Sequence, residues 1–328
     1  MPICLACGRK TILRAESFPG YVQGYTYDIY ECPGCTLSTV SPCVEREEVY
    51  GWIYGWPTKV PGYSRYVQLA DRVARSQQPD QEISRFDAVY EFVIRTIRKE
   101  RPDGGRIAEI GSGLGSLTFS LRSAGYEAIG FDLSVPAVES ASRNFGPFFR
   151  CDRIEDSISP GDVDIFVCTE VIEHVRDPLD LLLTIKGLMS QNSAILLTTP
   201  DKSAFPEGAV WETELPPIHL WWFTRDALEA LASRAGLNIS FVDVSRYFRP
   251  QFVRSRQESL VRLPTFDACG KLLQRDEPAR ARITNLIQHS PMLSPARWAR
   301  RAVQRARGAR PYSICAVLRL GEPETGCR

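Results

Sequence analysis

The feature of this sequence that most constrains its fold is an alternation of strand and helix patterns between residues 106 and 198. Short apolar runs bounded by turn residues alternate with segments in which apolar residues recur at helical spacing. This alternation predicts βαβ units, a largely parallel sheet, and ligand binding at the carboxyl ends of the strands. The predicted strands are Arg106–Ile110, Ala128–Phe131, Phe148–Cys151, Val163–Cys168 and Ala194–Thr198, with helices at Ser116–Ala124, Pro136–Asn144 and Leu179–Met189.

Further segments extend this pattern on both sides, and the seven strands together predict an α/β fold. We expect a doubly wound, Rossmann-like, seven-stranded and mostly parallel sheet. The flanking segments are the predicted helices Tyr63–Ala74, Phe86–Arg98 and Thr224–Ala235, and the predicted strands Ile239–Val244 and Ser313–Leu320.

Four of the ten cysteines form two C-x-x-C pairs near the N-terminus, Cys4 with Cys7 and Cys32 with Cys35. Each pair can direct two thiolates at one tetrahedral ion, and residues 1–45 have too few apolar runs to form a core alone. The spacing therefore predicts a small structural zinc ribbon. Because four thiolates fill the coordination sphere of zinc, we expect this ion to stabilise the fold and to take no part in chemistry.

The composition limits what the chain can bind. The 328 residues are 44% apolar, enough to bury a full-sized core, and the formal net charge is only +1. This balance provides no overall field that would favour nucleic acid or an anionic membrane. The apolar runs are far shorter than a bilayer span, and Met1–Lys10 lacks the apolar core of a signal peptide. We therefore expect a cytoplasmic protein with reduced cysteines and no membrane partner.

The sequence predicts four regions: a zinc-binding module at 1–45, a linker and helical lid at 46–101, the α/β core at 102–246, and an Arg-rich helical insertion with the final strand at 247–328. The linker, from Tyr50 to Gly62, is aromatic and interrupted by Gly and Pro. Aromatic residues outside the core strands either line a pocket or attach the module to the core. They are Tyr50, Trp52, Tyr54, Trp56, Trp211, Trp221 and Trp222.

A Gly-rich turn, Glu109–Gly115 (E-I-G-S-G-L-G), joins the first core strand to the first core helix. It lets the backbone approach a ligand closely, and the N–H groups at the start of the helix can receive a carboxylate. Its G-x-G-x-G spacing differs from the G-x-G-x-x-G of dinucleotide-binding proteins. Asp132, at the end of the second strand, can accept both hydroxyls of a ribose. The two motifs in register resemble those of class I S-adenosylmethionine-dependent methyltransferases.

This resemblance implies that S-adenosylmethionine is the cofactor. It also implies that Asp152, just after the third strand, caps the adenine amino group, although the same residue fits a surface turn. The cofactor-binding residues that the resemblance implies are Glu109, Gly111, Ser112, Gly113, Gly115, Asp132, Leu133, Asp152, Arg153 and Glu170.

The fourth core strand runs into Glu170–Val175 (E-V-I-E-H-V), which resembles a signature of ubiquinone-type O-methyltransferases. The segment His219–Thr224 resembles the H-x-x-x-[F/W]-[S/T] that follows the fifth strand in the same relatives. Methyl transfer from a sulfonium is an in-line displacement, so the enzyme must align the acceptor and make its oxygen nucleophilic. The resemblance implies this catalytic role for Glu170, Glu173, His174 and His219.

The same four residues match, in type and order, the two Glu and two His that hold a divalent metal in small-RNA 2′-O-methyltransferases. A mixed carboxylate and imidazole site suits Mg²⁺, Mn²⁺ or Zn²⁺, which would lower the pKa of an acceptor hydroxyl. Two other interpretations stay open. Either Glu170 and His174 only orient the cofactor and the loop, or His219 is a lone general base.

The sequence therefore predicts a methyltransferase that acts on a hydroxyl of a small molecule, such as a sugar, a polysaccharide precursor or a natural-product intermediate. An RNA 2′-O-methyltransferase is an alternative, since an Arg-rich helix at Ser294–Gly308 offers cations to phosphate, but the neutral overall charge opposes it. Deoxysugar C-methyltransferases, which also carry N-terminal cysteine pairs, and a non-catalytic zinc-stabilised cofactor-binding module are further alternatives. The third histidine, His289, is expected to be structural.

Overall fold

The computed structural model describes residues 1–56, 58–60, 63–205, 214–245, 265–273 and 312–321. The predicted Arg-rich helix at Ser294–Gly308, His289 and Trp211 lie outside these residues. Within the described ranges, no helix is long and apolar enough to cross a membrane.

The N-terminal module is built on a small antiparallel sheet. Strand β1 (Ile12–Pro19) pairs with β2 (Thr26–Glu31), and β2 pairs with β3 (Ser38–Ser41). Tyr27 and Ile29 of β2 are buried, as expected of alternate residues on the face that packs against a core. One cysteine pair precedes β1 and the other lies between β2 and β3, so the sheet brings the two pairs together.

Four helices connect the module to the core. Two of them match predicted helices, but the first lies where the sequence predicts a linker, so that interpretation is wrong for residues 50–55. Val49 and Ile53, one turn apart, are fully buried, and this burial outweighs the low helix propensity of Gly51. The helices are α1 (Glu47–Gly55), α2 (Ser64–Arg75), α3 (Pro79–Phe86) and α4 (Ala88–Glu100).

The core of the protein is a twisted α/β sheet. Its strands are β4 (Arg106–Ile110), β5 (Glu127–Phe131), β6 (Phe149–Arg150), β7 (Val163–Thr169), β8 (Met189–Pro200), β10 (Leu237–Phe241) and β11 (Ser313–Leu320). Strand β9 (Trp221–Trp222) comes between β8 and β10 in the chain but belongs to the module sheet. The order across the core sheet is β10-β11-β8-β7-β4-β5-β6. Strands β8, β7, β4, β5 and β6 are parallel to one another, and β11 alone runs antiparallel to its two neighbours, β8 and β10. The prediction of a doubly wound, seven-stranded, mostly parallel sheet is confirmed.

Helices cover both faces of this sheet. Alternate residues of β7 point to opposite faces of the sheet and belong to two apolar clusters, with Phe166 in the first and Ile165 and Val167 in the second. The helices of the core are α5 (Ser116–Ser123), α6 (Val135–Phe145), α7 (Ile154–Ser157), α8 (Pro178–Leu188) and α9 (Arg225–Ala235). Helices α8 and α9 pack on the first cluster, whereas α2, α4, α5 and α6 pack on the second.

One strand boundary differs clearly from its prediction, because β8 begins at Met189 and not at Ala194. The intervening residues are polar and read as a loop. In the structure Ser193 donates its hydroxyl to the Val163 carbonyl at 2.7 Å, which tethers this polar start of β8 to β7.

The topology decides where ligands can bind. From β4 the chain moves outward to β5 and β6, and it then returns to the other side of β4 for β7 and β8. The carboxyl ends of β4 and β7 therefore flank a topological switch point, where open α/β sheets form their binding crevice.

Candidate active site

A cavity opens at this switch point. Its floor is formed by residues of the Gly-rich turn between Glu109 and Leu117, together with Thr169 and Glu170 after β7. Side chains from the helical layer and from β11 enclose it. They include Tyr54, Tyr63, Arg65, Tyr66, Asp87, Tyr90 and Tyr312, and His174 lines the cavity from the acceptor side.

The Gly-rich turn depends on its glycines. Gly111, Gly113 and Gly115 have φ values of 71°, 51° and 82°, a conformation that other residues rarely adopt. A Cβ on Gly111 would also lie 2.4 Å from the Val171 side chain. Ser112 lies within this turn, and its hydroxyl is buried without a hydrogen-bond partner in the described part of the chain. The turn therefore presents backbone and an unsatisfied hydroxyl to a ligand.

Asp132 follows β5 and is joined to this turn. Its two carboxylate oxygens accept hydrogen bonds from the Gly113 and Ser134 N–H groups, each at 2.8 Å. Burial nevertheless raises the pKa of Asp132. Each oxygen keeps a lone pair, so the carboxylate can still accept two hydroxyls, as the sequence predicts for a ribose.

Four predicted cofactor residues, Asp132, Leu133, Asp152 and Arg153, are not among those that line the cavity, although Asp132 accepts a hydrogen bond from the lining residue Gly113. Leu133 is 63% exposed, and Asp152 and Arg153 are exposed on the turn after β6. The Cys151 thiol on this turn lies 3.7 Å from the Leu133 carbonyl oxygen, so the two segments adjoin. Their role in binding adenine stays a prediction.

The cavity is rich in acidic groups. Glu109, Asp87 and Glu170 line it, against the single guanidinium of Arg65 in the described lining. Thr118 donates its hydroxyl to Glu109, but burial raises the pKa of Glu109 to about 8. A ligand that carries positive charge would stabilise these carboxylates. S-adenosylmethionine carries a sulfonium and an ammonium group, and these positive charges complement the acidic groups of this cavity.

The acceptor edge begins where β7 ends. Glu170 adopts a left-handed backbone conformation, with φ of 54°, which turns the chain sharply out of the strand. Its carboxyl accepts a hydrogen bond from Thr198 at 3.0 Å and lines the cofactor cavity. Burial, and after it the neighbouring Glu173, raises the pKa of Glu170 well above its ordinary value.

Three of the four predicted catalytic residues converge beside this point. One potential ligand atom from each of Glu173, His174 and His219 lies within 4.8 Å of the other two. The Glu173 Oε1 and His174 Nε2 atoms are 3.7 Å apart, and the two imidazole ring centres are 4.6 Å apart. Glu170 is not part of this group, because its carboxyl faces the cofactor cavity.

Each of the three side chains is oriented by a second contact. His174 donates from Nδ1 to the Ile218 carbonyl at 2.6 Å, since a carbonyl can only accept. His219 Nε2 lies 3.0 Å from the Glu214 carboxylate, and Glu173 Oε2 accepts from the Thr199 hydroxyl at 2.9 Å. The other carboxylate oxygen of Glu173, Oε1, and the other ring nitrogen of His219, Nδ1, are buried and have no hydrogen-bond partner among the described residues.

This pattern is typical of metal ligands, in which one atom of each side chain is held by a neighbour and the other is left for the ion. Burial raises the pKa of Glu173 to about 8 and, with a smaller effect of His219, lowers that of His174 to about 3. Two nitrogens and one oxygen form a donor set that suits Zn²⁺ or Mn²⁺. The three residues therefore fit a divalent cation.

Sequence reasoning missed two contributors to this edge. Glu214 orients His219, but it lies in a segment without a recognisable motif, five residues before the histidine. Tyr50 of α1 packs its ring edge-on to His174, at 6.3 Å between ring centres. The only signal for Tyr50 was its place in an aromatic segment that the sequence presents as a linker.

The four cysteines of the module form a second cluster. The Sγ atoms of Cys4 and Cys35 are 3.5 Å apart and those of Cys7 and Cys32 are 3.3 Å apart, with all four within 4.8 Å. A tetrahedral zinc ion with Zn–S bonds of about 2.3 Å needs sulfurs about 3.8 Å apart. The cluster is therefore close to zinc-binding geometry.

A family model described as a methyltransferase domain matches residues 58–240. The match exceeds half of the 328 residues and includes the Gly-rich turn, Asp132 and the acceptor edge. The chain belongs to this family. Membership confirms the identification as a class I S-adenosylmethionine-dependent methyltransferase that the Gly-rich turn and Asp132 predict.

The chain is similar to curated enzymes over part of its length. It is 30% identical to the ubiquinone biosynthesis O-methyltransferase of Methylococcus capsulatus over 134 residues, or 38% of this chain and 56% of that protein. The enzyme of the same name from Xanthomonas campestris is 26% identical over 107 residues, or 30% of this chain and 45% of that protein. The chain thus spans about half the length of the curated relatives it matches.

Solved methyltransferase structures are also similar to it, at low identity. The plantazolicin methyltransferase BamL is 16% identical, with a TM-score of 0.44, over 84% of this chain and 95% of that one. Magnesium protoporphyrin IX methyltransferase from Synechocystis PCC 6803 is 16% identical, with a TM-score of 0.41, over 62% of this chain and 92% of that one.

Proposed function

We propose that this protein transfers a methyl group from S-adenosylmethionine to a hydroxyl of a small molecule, such as a sugar, a polysaccharide precursor or a natural-product intermediate. The observation that carries the proposal is the convergence of Glu173, His174 and His219 beside the cofactor cavity. The similarity of the chain to ubiquinone biosynthesis O-methyltransferases supports oxygen as the acceptor atom.

The cofactor half of the site uses the Gly-rich turn. The oxygens of Asp132 would accept hydrogen bonds from the ribose hydroxyls, and Glu109, which lines the cavity, would accept one from the ammonium group of the cofactor. The bound cofactor supplies the methyl group on its positively charged sulfur. Tyr54 and Tyr63, in edge contact at 5.9 Å between ring centres, help to exclude water from this charge.

The acceptor half of the site uses the lone pairs of three neighbouring side chains. We propose that Glu173, His174 and His219 hold a divalent cation, which when bound would lower the pKa of the acceptor hydroxyl. Glu214 and the Ile218 carbonyl keep the two imidazoles in the tautomers that this requires. In the transfer, the acceptor oxygen bonds to the methyl carbon as the carbon–sulfur bond breaks, the electron pair of that bond stays on the sulfur of S-adenosylhomocysteine, and the hydroxyl proton passes to solvent water.

The test combines cofactor binding, transfer of isotope-labelled methyl and mass analysis of the product, with a panel of nucleotide sugars and phenols as acceptors. We expect Glu173→Gln to lose transfer by about a hundredfold, the size of effect that acid–base or metal activation supplies. S-adenosylmethionine affinity should stay within about threefold. The matched control is Glu139→Gln, which removes an exposed carboxylate from helix α6.

Three results would count against this proposal. Methyl found on carbon or nitrogen would contradict the acceptor atom. Full transfer by enzyme stripped of its acceptor-site cation, with cysteine-bound zinc retained, would leave His219 as a lone base. Normal transfer by Glu173→Gln would show that Glu173 is not part of the acceptor site.

We further propose that Cys4, Cys7, Cys32 and Cys35 hold one structural zinc ion. The support is their sulfur spacing, and four thiolates leave no coordination position for a substrate. Elemental analysis of the purified full chain should find about one zinc that persists in Glu173→Gln and is lost in Cys32→Ser. Equal zinc content in both variants would contradict the assignment.

A further inference from the structure

The module and the acceptor site share one sheet. Strand β9, only two residues after His219, pairs antiparallel with β3, with Ser38 opposite Trp222 and Thr39 opposite Trp221. The module sheet therefore has the order β1-β2-β3-β9, and its last strand belongs to the segment that carries an acceptor-site histidine.

Leu220 connects the two structures directly. Its N–H donates to the Glu173 carbonyl at 2.9 Å, and its own carbonyl accepts from the Val40 N–H and the Thr39 hydroxyl, both at 3.2 Å. Leu220 is fully buried, so these bonds are shielded from water. A single residue thus lies between module strand β3 and Glu173, and it is the chain neighbour of His219.

Strand β3 is in turn fixed by the cysteine turn that precedes it. The Cys32 N–H donates to the Leu37 carbonyl at 2.9 Å, which closes the turn just before β3. The Thr224 hydroxyl donates to the Cys35 carbonyl at 3.1 Å and contacts the Thr36 hydroxyl at 2.8 Å. The same cysteine turn therefore contacts the residue before β3 and a residue just after β9, which lie at the same end of this antiparallel pair.

The cofactor loop is supported from elsewhere. The Gly111 and Ser112 N–H groups donate to the Phe131 carbonyl, and the Gly113 N–H donates to Asp132. These contacts lie at the end of β5, on the side of β4 away from β7. A displacement of β3 would therefore act first on the acceptor edge, whereas the hydrogen bonds between the cofactor loop and β5 do not depend on β3.

We propose that the four-cysteine module positions the acceptor site through β3, with Thr39 as a positioning residue that holds Leu220 and thereby sets the spacing of Glu173 and His219. Zinc at the cysteines would fix the turn from which β3 starts. The inference rests on the proposed function, since it gives the module a role in the acceptor site and none in cofactor binding.

The variant that tests it is Thr39→Val in the full chain with zinc retained. Valine has a similar shape and favours strands, so the pairing of β3 can form without the hydroxyl. Thr39→Ser restores the hydroxyl. The matched control is Thr11→Val, because Thr11 is a buried module threonine whose hydroxyl donates to the Pro2 carbonyl, away from β9.

Three quantities are measured for each variant: Mn²⁺ affinity by paramagnetic resonance, S-adenosylmethionine affinity by calorimetry, and amide hydrogen exchange at Leu220 and Trp221, whose N–H groups donate to the Glu173 carbonyl. For Thr39→Val we expect Mn²⁺ affinity to fall about fivefold or more and exchange to rise about tenfold, with cofactor affinity within about twofold. Thr39→Ser should recover both, and Thr11→Val should change none.

Unchanged exchange in Thr39→Val, or an equal change in Thr11→Val, would overturn the positioning role. If the wild-type protein binds no Mn²⁺, or if Glu173→Gln binds it equally well, the proposal of an acceptor-site cation is contradicted. The exchange measurement alone then decides whether Thr39 positions the acceptor site.

Removal of zinc from the cysteines is an independent experiment. Exchange at Leu220 and Trp221 should rise while cofactor affinity stays within about twofold, and unchanged exchange would contradict the role of zinc.

Discussion

Among single residues, Asp132 is expected to contribute most to cofactor affinity. Asp132→Asn keeps the size of the side chain but replaces one acceptor oxygen by a donor, which then faces the N–H of Gly113 or Ser134. Hydrogen bonds to a charged group contribute about 1.5–3 kcal/mol, so affinity for S-adenosylmethionine should fall about tenfold to a hundredfold. Calorimetry measures this, with the exposed Asp162→Asn as the control.

Glu109 should make cofactor binding depend on pH. The folded protein without cofactor keeps this proton up to a pKa of about 8, whereas an unburied carboxyl loses it near 4.5. Between these values the unfolded chain binds fewer protons, so the contribution of Glu109 to folding stability falls as pH rises. The cofactor ammonium favours the carboxylate, and its affinity should therefore rise several-fold from pH 6 to pH 8.

The matched variant for this pH dependence is Glu109→Gln, which keeps an oxygen for the Thr118 hydroxyl but does not titrate. Calorimetric titrations at pH 6 and pH 8 should show a flat affinity in the variant. A rise as steep as that of the wild-type protein would assign the dependence to another group or to the cofactor itself.

Helix α1 provides a prediction about an element. Gly51 lies inside this helix, and a Cβ added there would meet nothing within 4 Å. Gly51→Ala should therefore raise the free energy of unfolding by about 0.5–1 kcal/mol, because alanine loses less conformational entropy in a helix. Denaturant unfolding measures the change. A lower stability would mean that α1 does not persist in solution as this helix.

Gly111→Ala is the contrasting change in a turn. The new Cβ would have a left-handed φ of 71° and would lie 2.4 Å from the Val171 side chain. Because Val171 follows Glu170 directly, the clash disturbs both the cofactor turn and the acceptor edge. We expect S-adenosylmethionine binding to fall below detection by calorimetry while the far-ultraviolet circular dichroism stays native. Retained affinity would show that the turn can relax.

At the scale of the whole molecule, the module and the core should unfold together. Strand β9 belongs to the module sheet, and Lys202, just after β8, donates to the Thr36 carbonyl at 2.7 Å and to the Ser38 hydroxyl at 2.8 Å. Removal of zinc should therefore lower the temperature of the main calorimetric transition. A separate early transition, with the main one unchanged, would contradict this coupling.

Sequence by itself determined the features that are coded by spacing along the chain. The βα alternation fixed the sheet, the glycines at 111, 113 and 115 placed a ligand-binding turn after β4, and the two C-x-x-C pairs placed four thiolates together. Each depends on local periodicity or on turns of a few residues, which neighbouring residues specify.

Only the tertiary structure decided the contacts between distant segments. Spacing does not show that Trp221 pairs with Thr39, that Glu214 orients His219, or that α1 forms through the burial of Val49 and Ile53. It also does not separate Glu170, which faces the cofactor cavity, from the three residues that converge. The physical reason is that strand pairing and burial depend on which surfaces meet after folding, and a local pattern does not encode that meeting.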